Sequence, residues 1–211
     1  MKDIYLLSGL GCDERVYDFI DFSGFRTHPI RWIEPQENEP IARYAQRLAE
    51  QVHTPQPVLI GVSFGGMMAV ELAKWIDTER VILISSAKTK WEVPFYYRMA
   101  GWLRLNRLVP ARLLKMVNRL TFLFFGTETR AEENLLRSII RDTDEKFLAW
   151  AVDQIVHWKN TTVFHHLVHI HGTRDKILPL KSADYKVPGG GHFMIVNKAR
   201  QVSALIREVL K

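Results

Sequence analysis

Cysteine is nearly absent from this 211-residue chain. Cys12 stands alone, so no internal disulfide can form and no oxidising compartment is required. Long hydrophobic runs are absent too: none approaches the roughly 20 apolar residues that cross a bilayer. Met1-Lys2-Asp3 leads into an apolar stretch, 4–10, too short for a secretory signal, and a cytoplasmic protein is expected. Twelve Gly and nine Pro are too few for a collagen-like or low-complexity chain. No internal repeat occurs. What remains, 47% hydrophobic and 25% charged residues, is the composition of a globular protein. Its length suits one domain, or one domain carrying a large insertion.

Charge is unevenly placed. Residues 88–119 hold eight Lys or Arg and one Glu, whereas the whole chain sums to +6, so the remainder is close to neutral at −1. A basic segment of this kind suits anionic substrate groups, anionic lipid or nucleic acid.

Short apolar runs alternate with helical patterns, the signature of a parallel sheet covered by helices. Strands are expected at 4–7, 29–33, 58–62, 81–85, 167–171 and 185–187. Ile41, Tyr44, Ala45, Leu48 and Val52 share one face of a helix over 41–52. A buried helix is expected over 65–76 and an amphipathic one over 192–210. The stretch 88–161 breaks this rhythm, offering helices and no convincing strand. Thr129 with Glu132 has capping-box spacing, and Leu148, Val152 and Ile155 make a helical stripe. The expected organisation is an α/β core from 1–87 and 162–211 with a helical lid, 88–161, inserted between two strands.

The sharpest motif is Gly61-Val62-Ser63-Phe64-Gly65, lying between an expected strand and an expected helix. A serine on such a turn projects its hydroxyl into the open, and flanking glycines let neighbouring backbone approach. The N–H after the serine sits at a helix N-terminus, where it can stabilise developing negative charge. A serine needs a base, and the base an orienting carboxylate. Downstream, a strand runs into Gly172-Thr-Arg-Asp175, and a shorter one ends in Pro188-Gly-Gly-Gly-His192. Both groups fall at the sheet edge where such folds bind ligands.

With the opening loop Leu7-Ser-Gly-Leu-Gly11, these motifs resemble the α/β-hydrolase superfamily over about 3–87 and 164–211, in the order serine, acid, histidine. The resemblance implies a mostly parallel twisted sheet with helices on both faces. It also implies Ser63 as nucleophile, His192 as general base and Asp175 as its acid, with the N–H groups of Leu10 and Phe64 as oxyanion hole. Two features depart from the family's pattern. Ser8-Gly9 stands where His-Gly is common, and only 17 positions separate Asp175 from His192, without room for the usual helix. Asp153 is the alternative acid. The implied activity is ester or thioester hydrolysis by a small lidded serine esterase, with no cofactor. A non-catalytic binding protein, a lyase or a cofactor-free oxidase on the same fold stay open.

Three further features need a reading. His169-x-His171 would face one side of a strand, as a metal pair does, but no Cys or carboxylate follows at useful spacing; structural histidines and no metal are expected. Cys12 lacks a basic neighbour to lower its pKa and reads as a small buried residue. In the lid, Trp91, Phe95, Tyr96 and Trp102 are candidate substrate-pocket residues, interleaved with Arg98, Arg104 and Arg107. A following helix would carry Leu113, Val117, Leu120 and Phe124 on one side and Arg112, Lys115 and Arg119 on another. This block reads as an amphipathic cap with a solvated charged face. Alternatively its basic rim receives a thioester on coenzyme A or an acyl carrier protein, or rests on an anionic membrane. Nucleic acid is not expected, since no binding motif accompanies the charge.

Overall fold

The computed structural model describes residues 1–10 and 12–211, except for the side chains of Arg107 and Ala111. Gly11 of the opening loop and the Arg107 side chain of the basic row therefore lie outside the described residues. Six strands form one sheet: β1 (Asp3–Leu7), β2 (Arg26–Pro29), β3 (Val58–Val62), β4 (Arg80–Ile84), β5 (Leu167–Gly172) and β6 (Tyr185–Val187). All neighbours are parallel, in the order β2-β1-β3-β4-β5-β6. The helices are α1 (Ile41–Leu48), α2 (Phe64–Leu72), α3 (Phe95–Trp102), α4 (Ala111–Leu114), α5 (Arg119–Phe125), α6 (Arg130–Asp142), α7 (Glu145–Val156), α8 (Met194–Asn197) and α9 (Ala199–Val209).

Successive side chains of a strand point to opposite faces, and here both faces are apolar. Tyr5, Leu7, Leu59, Val81 and Leu83 face one layer, shared with α1, α2 and α7. Ile4, Leu6, Val58, Ile60, Ile82 and Ile84 face the other, shared with α6, α8 and α9. That is why the central strands read as continuous apolar runs rather than alternating ones. Helices α6 and α7 belong to these layers: Leu136 and Ile139 sit in one, Phe147 and Ala151 in the other.

The helices expected over 41–52 and 65–76 are shorter, ending at Leu48 and Leu72, and three elements differ more deeply from the sequence expectation. The second strand is Arg26–Pro29, not 29–33. It is an edge strand, and its exposed Arg26 and Thr27 carry no apolar signal. The apolar residues that suggested a strand leave the sheet instead, and Trp32 packs on Phe64 and Phe147. The single helix expected to carry Leu113 through Phe124 is two, α4 and α5. Asn118 accepts from the N–H groups of Leu120 and Thr121, and Thr121 Oγ1 accepts from Asn118 N–H. That capping box starts a new helix and resets the register, so Leu113, Leu120 and Phe124 are exposed rather than stacked on the core. The last helix is likewise divided, into α8 and α9, with Lys198 between them.

Candidate active site

The chain reverses its direction of travel across the sheet between β1 and β3. Ligands of open parallel sheets bind at such a switch point, beyond the strands' C-terminal ends. Gly9 and Leu10 follow β1 there, and Ser63 follows β3. Tight packing of strand, turn and helix dictates the glycines. A Cβ on Gly65 would lie 2.2 Å from the carbonyl oxygens of Leu7 and Ser8, and one on Gly61 would lie 2.3 Å from the Gly65 oxygen. Ser63 itself adopts φ 53°, ψ −121°, outside the regions a residue with a Cβ favours. It is held by its own N–H, which donates to Ile84 O at 2.9 Å, and by Ser86 Oγ, which donates to its carbonyl at 2.6 Å.

Ser63 Oγ lies 2.9 Å from His192 Nε2, and His192 Nδ1 lies 2.8 Å from Asp175 Oδ2. With Nδ1–H donating to the carboxylate, Nε2 is free to accept the serine hydroxyl. Gly172–Asp175 bring the acid to this point at the end of β5, and the loop after β6 brings the histidine. The backbone N–H groups of Ile177 and Leu178 both donate to Asp175 Oδ1 at 2.9 Å. Burial by itself raises the Asp175 carboxyl, but His192, His171 and the Leu178 N–H outweigh it and hold the group well below the usual carboxylate range. The short connection between acid and base is thus met by an irregular segment, 176–184, and a three-residue strand, β6. Asp153 lies apart on α7, accepting from Asn106 Nδ2 at 2.8 Å.

In the sequence His171 reads as a structural histidine, with a metal pair to His169 as the lesser alternative. Its Nε2 donates to Leu178 O at 2.8 Å and stands 3.3 Å from Asp175 Oδ2. Its Nδ1 then accepts from His169 Nε2 at 2.9 Å. Both ring nitrogens of His171 are thus engaged, Nε2 with the acid loop and Nδ1 with its strand neighbour His169. Among the described residues, no group of three His, Cys, Asp or Glu is disposed around a metal-sized site.

Above Ser63 lies a cavity of about 330 Å³ lined by Leu10, Phe64, Met67, Tyr97, Leu114, Phe125, Val152, Ile155 and Ile177, with Ser63 and His192 at its polar end. Leu10 and Phe64 both border it and, among the described residues, no hydrogen-bond acceptor faces either backbone N–H. The ring of Phe125 meets His192 edge-on at 5.6 Å. Cys12, half-buried, also borders the cavity, and burial pushes its thiol up to about 12, away from the thiolate form.

The aromatic candidates are placed differently from expectation. Trp91, Phe95, Tyr96 and Trp102 do not line the cavity. They are exposed, Phe95 by 61% and Trp102 by 79%. For those on α3 the cause is Gly101, which sits against Val156 of α7 closely enough that a Cβ would come within 2.7 Å. That contact turns Tyr97 and Gly101 inward, and the helical period puts Phe95, Met99 and Trp102 on the opposite side. The walls supplied by Tyr97, Leu114 and Phe125 have no separate signal in the sequence, because a helix's inward face is set by such packing. Val152 and Ile155 of the recognised α7 stripe do reach the cavity.

Residues 4–205 match the family described as "Alpha/beta hydrolase family". Among solved structures, an esterase from Thermogutta terrifontis is similar with a TM-score of 0.71 and 19% identity, over 100% of this chain and 89% of the other. An esterase from Exiguobacterium antarcticum gives 0.70 and 13%, over 100% and 92%. A bromoperoxidase from Bacillus anthracis gives 0.68 and 16%, over 99% and 91%. At these identities the likeness is one of fold. No curated protein matches the sequence.

Proposed function

The chain belongs to the α/β-hydrolase family, and on that premise we propose that it hydrolyses carboxylic esters or thioesters of an apolar acyl group through an acyl-enzyme on Ser63. The observation that carries this reading is the hydrogen-bonded series Ser63, His192, Asp175 at the polar end of an otherwise apolar cavity. His192 Nε2 takes the Ser63 proton as Oγ bonds to the carbonyl carbon. The carbonyl oxygen becomes an oxyanion facing the N–H groups of Phe64 and Leu10. Collapse breaks the bond to the leaving alcohol or thiol, which receives the proton from His192. Water, deprotonated by the same nitrogen, then attacks the acyl-serine, and the Oγ–acyl bond breaks to release the acid as His192 returns the proton to Ser63 Oγ. Asp175 stays ionised throughout and fixes the imidazole tautomer.

Among the described residues, no Lys or Arg lines the cavity, so the group it receives is uncharged. Its size is at the lower end of the about 300–1,000 Å³ usual for ligand sites, which suits short to medium acyl groups. Intact mass after exposure to a small fluorophosphonate tests the reading. The native chain should gain one adduct and Ser63→Ala none. No adduct on the native chain, or an adduct on both, overturns it. Against p-nitrophenyl esters of graded length, Ser63→Ala should lower kcat by on the order of 10⁴–10⁶.

A further inference from the structure

Soluble monomers scatter their exposed apolar side chains, and a patch beyond a few hundred Å² marks a contact surface. Scatter is not what this molecule shows. Of eighteen large apolar side chains exposed among the described residues, fourteen lie between Trp91 and Phe124. Helix α3 turns Phe95, Met99 and Trp102 outward, α5 turns Leu120 and Leu123 outward, and Leu108 between them is 76% exposed. The same helices turn Tyr97, Leu114 and Phe125 inward onto the cavity. They are apolar on both sides, and the folding of one chain accounts only for the inner side.

Charge indicates what meets the outer side. Residues 88–119 carry eight basic residues against one acidic, while the rest of the chain is close to neutral. Arg104 and Arg119 are exposed and make no ion pair among the described residues, and Arg112 only approaches Glu145 at 3.9 Å. A second copy of this chain would set like charges against each other. A soluble polyanion would leave Trp102, Leu108 and Leu120 in water. An anionic bilayer answers both features at once, its headgroups meeting the arginines and its acyl boundary the apolar side chains. Among the described residues no helix is long and apolar enough to cross a membrane, so the contact is peripheral.

We infer that α3–α5 and the segment joining them form a docking face for an anionic lipid surface. The cavity beneath that face then takes its ester from the bilayer rather than from water, a consequence that rests on the hydrolase reading. Docking is tested without turnover by floating full-length Ser63→Ala protein with vesicles of phosphatidylcholine alone or mixed with phosphatidylglycerol. Binding to the mixed vesicles should exceed binding to the neutral ones at least about tenfold and weaken with added salt. Leu108→Asp with Leu120→Asp, and separately Arg104→Glu with Arg119→Glu, should each lower it about tenfold or more. On the native background both pairs should hydrolyse a short water-soluble ester at the parental rate. Equal binding to both vesicles, no binding to either, or variants that bind like the parent overturn the docking face. So does a stable dimer that covers Leu108 and Leu120. Vesicle binding without hydrolysis of the soluble ester removes the hydrolase reading and leaves the docking face standing.

Discussion

Ser63 pays for its exposure with a backbone at φ 53°, ψ −121°, a conformation costing a residue with a Cβ about 1–3 kcal/mol. Alanine in its place keeps that strain, and glycine removes it at about 0.5–1 kcal/mol of extra chain entropy. Ser63→Gly should therefore be more stable than Ser63→Ala by about 1 kcal/mol in urea unfolding; equal midpoints would put the strain elsewhere. The buried histidine behind the acid makes a second prediction. Burial first, then His171 and Lys88, push His169 down from 6.5 to about 3. Below its ordinary value the unfolded chain takes up a proton that the folded chain refuses. Stability contributed here is present above 6.5 and lost as pH falls towards about 3, at up to about 1.4 kcal/mol per pH unit. Asp175 acts in the same direction, but only below its ordinary 3.8, where the unfolded carboxyl protonates first. His169→Gln keeps a donor for His171 and should shrink the loss between pH 7 and pH 4 in urea midpoints. An undiminished loss would assign that window to other groups.

Elements were legible to the degree that their own residues fix them. Strand β3 has the bounds its buried apolar run suggests, and β6, of which only Val187 is buried, is bounded by the Pro188-Gly-Gly-Gly turn that follows it. Ser63, Asp175 and His192 could be named in advance since each lies within three positions of a strand end or a glycine run, and the folded chain brings the three within hydrogen-bonding distance. Strand β2 was misplaced because an edge strand needs pairing on one side only and can be polar. The facing of α3 was misjudged because it depends on Gly101 meeting Val156, a contact 55 positions away in sequence. The break between α4 and α5 was carried by Asn118, whose cap looks like any polar residue until its helix is known. Asn118→Ala should cost α5 about 1 kcal/mol. Hydrogen exchange at the Leu120 and Thr121 amides should then accelerate about fivefold while β3 stays protected; unchanged exchange would mean that packing of Phe122 alone holds the helix.

At the scale of the whole molecule, the helices between β4 and β5 divide by what they bury. Helices α6 and α7 supply Leu136, Ile139, Phe147 and Ala151 to the two apolar layers, and Trp150 donates to Glu39 O at 2.7 Å, tying α7 to the segment before α1. From α3–α5, Phe122 alone of the large apolar side chains is buried in a core layer. Opening this outer segment therefore exposes little surface, whereas opening α6 or α7 disrupts a core layer. Trypsin reads the difference directly, since Arg104, Arg112 and Arg119 are exposed in the outer segment and Arg137 and Arg141 are exposed on α6. Cleavage should begin at the first group, with the two fragments remaining associated through the sheet, because neither cut removes a strand. First cuts on α6 would contradict this division of the molecule. If the outer segment is also the docking face, anionic vesicles should slow cleavage after Arg104 and Arg119 while leaving Arg137 as accessible as before. Equal slowing at all these sites would signal general sequestration of the protein rather than contact through α3–α5.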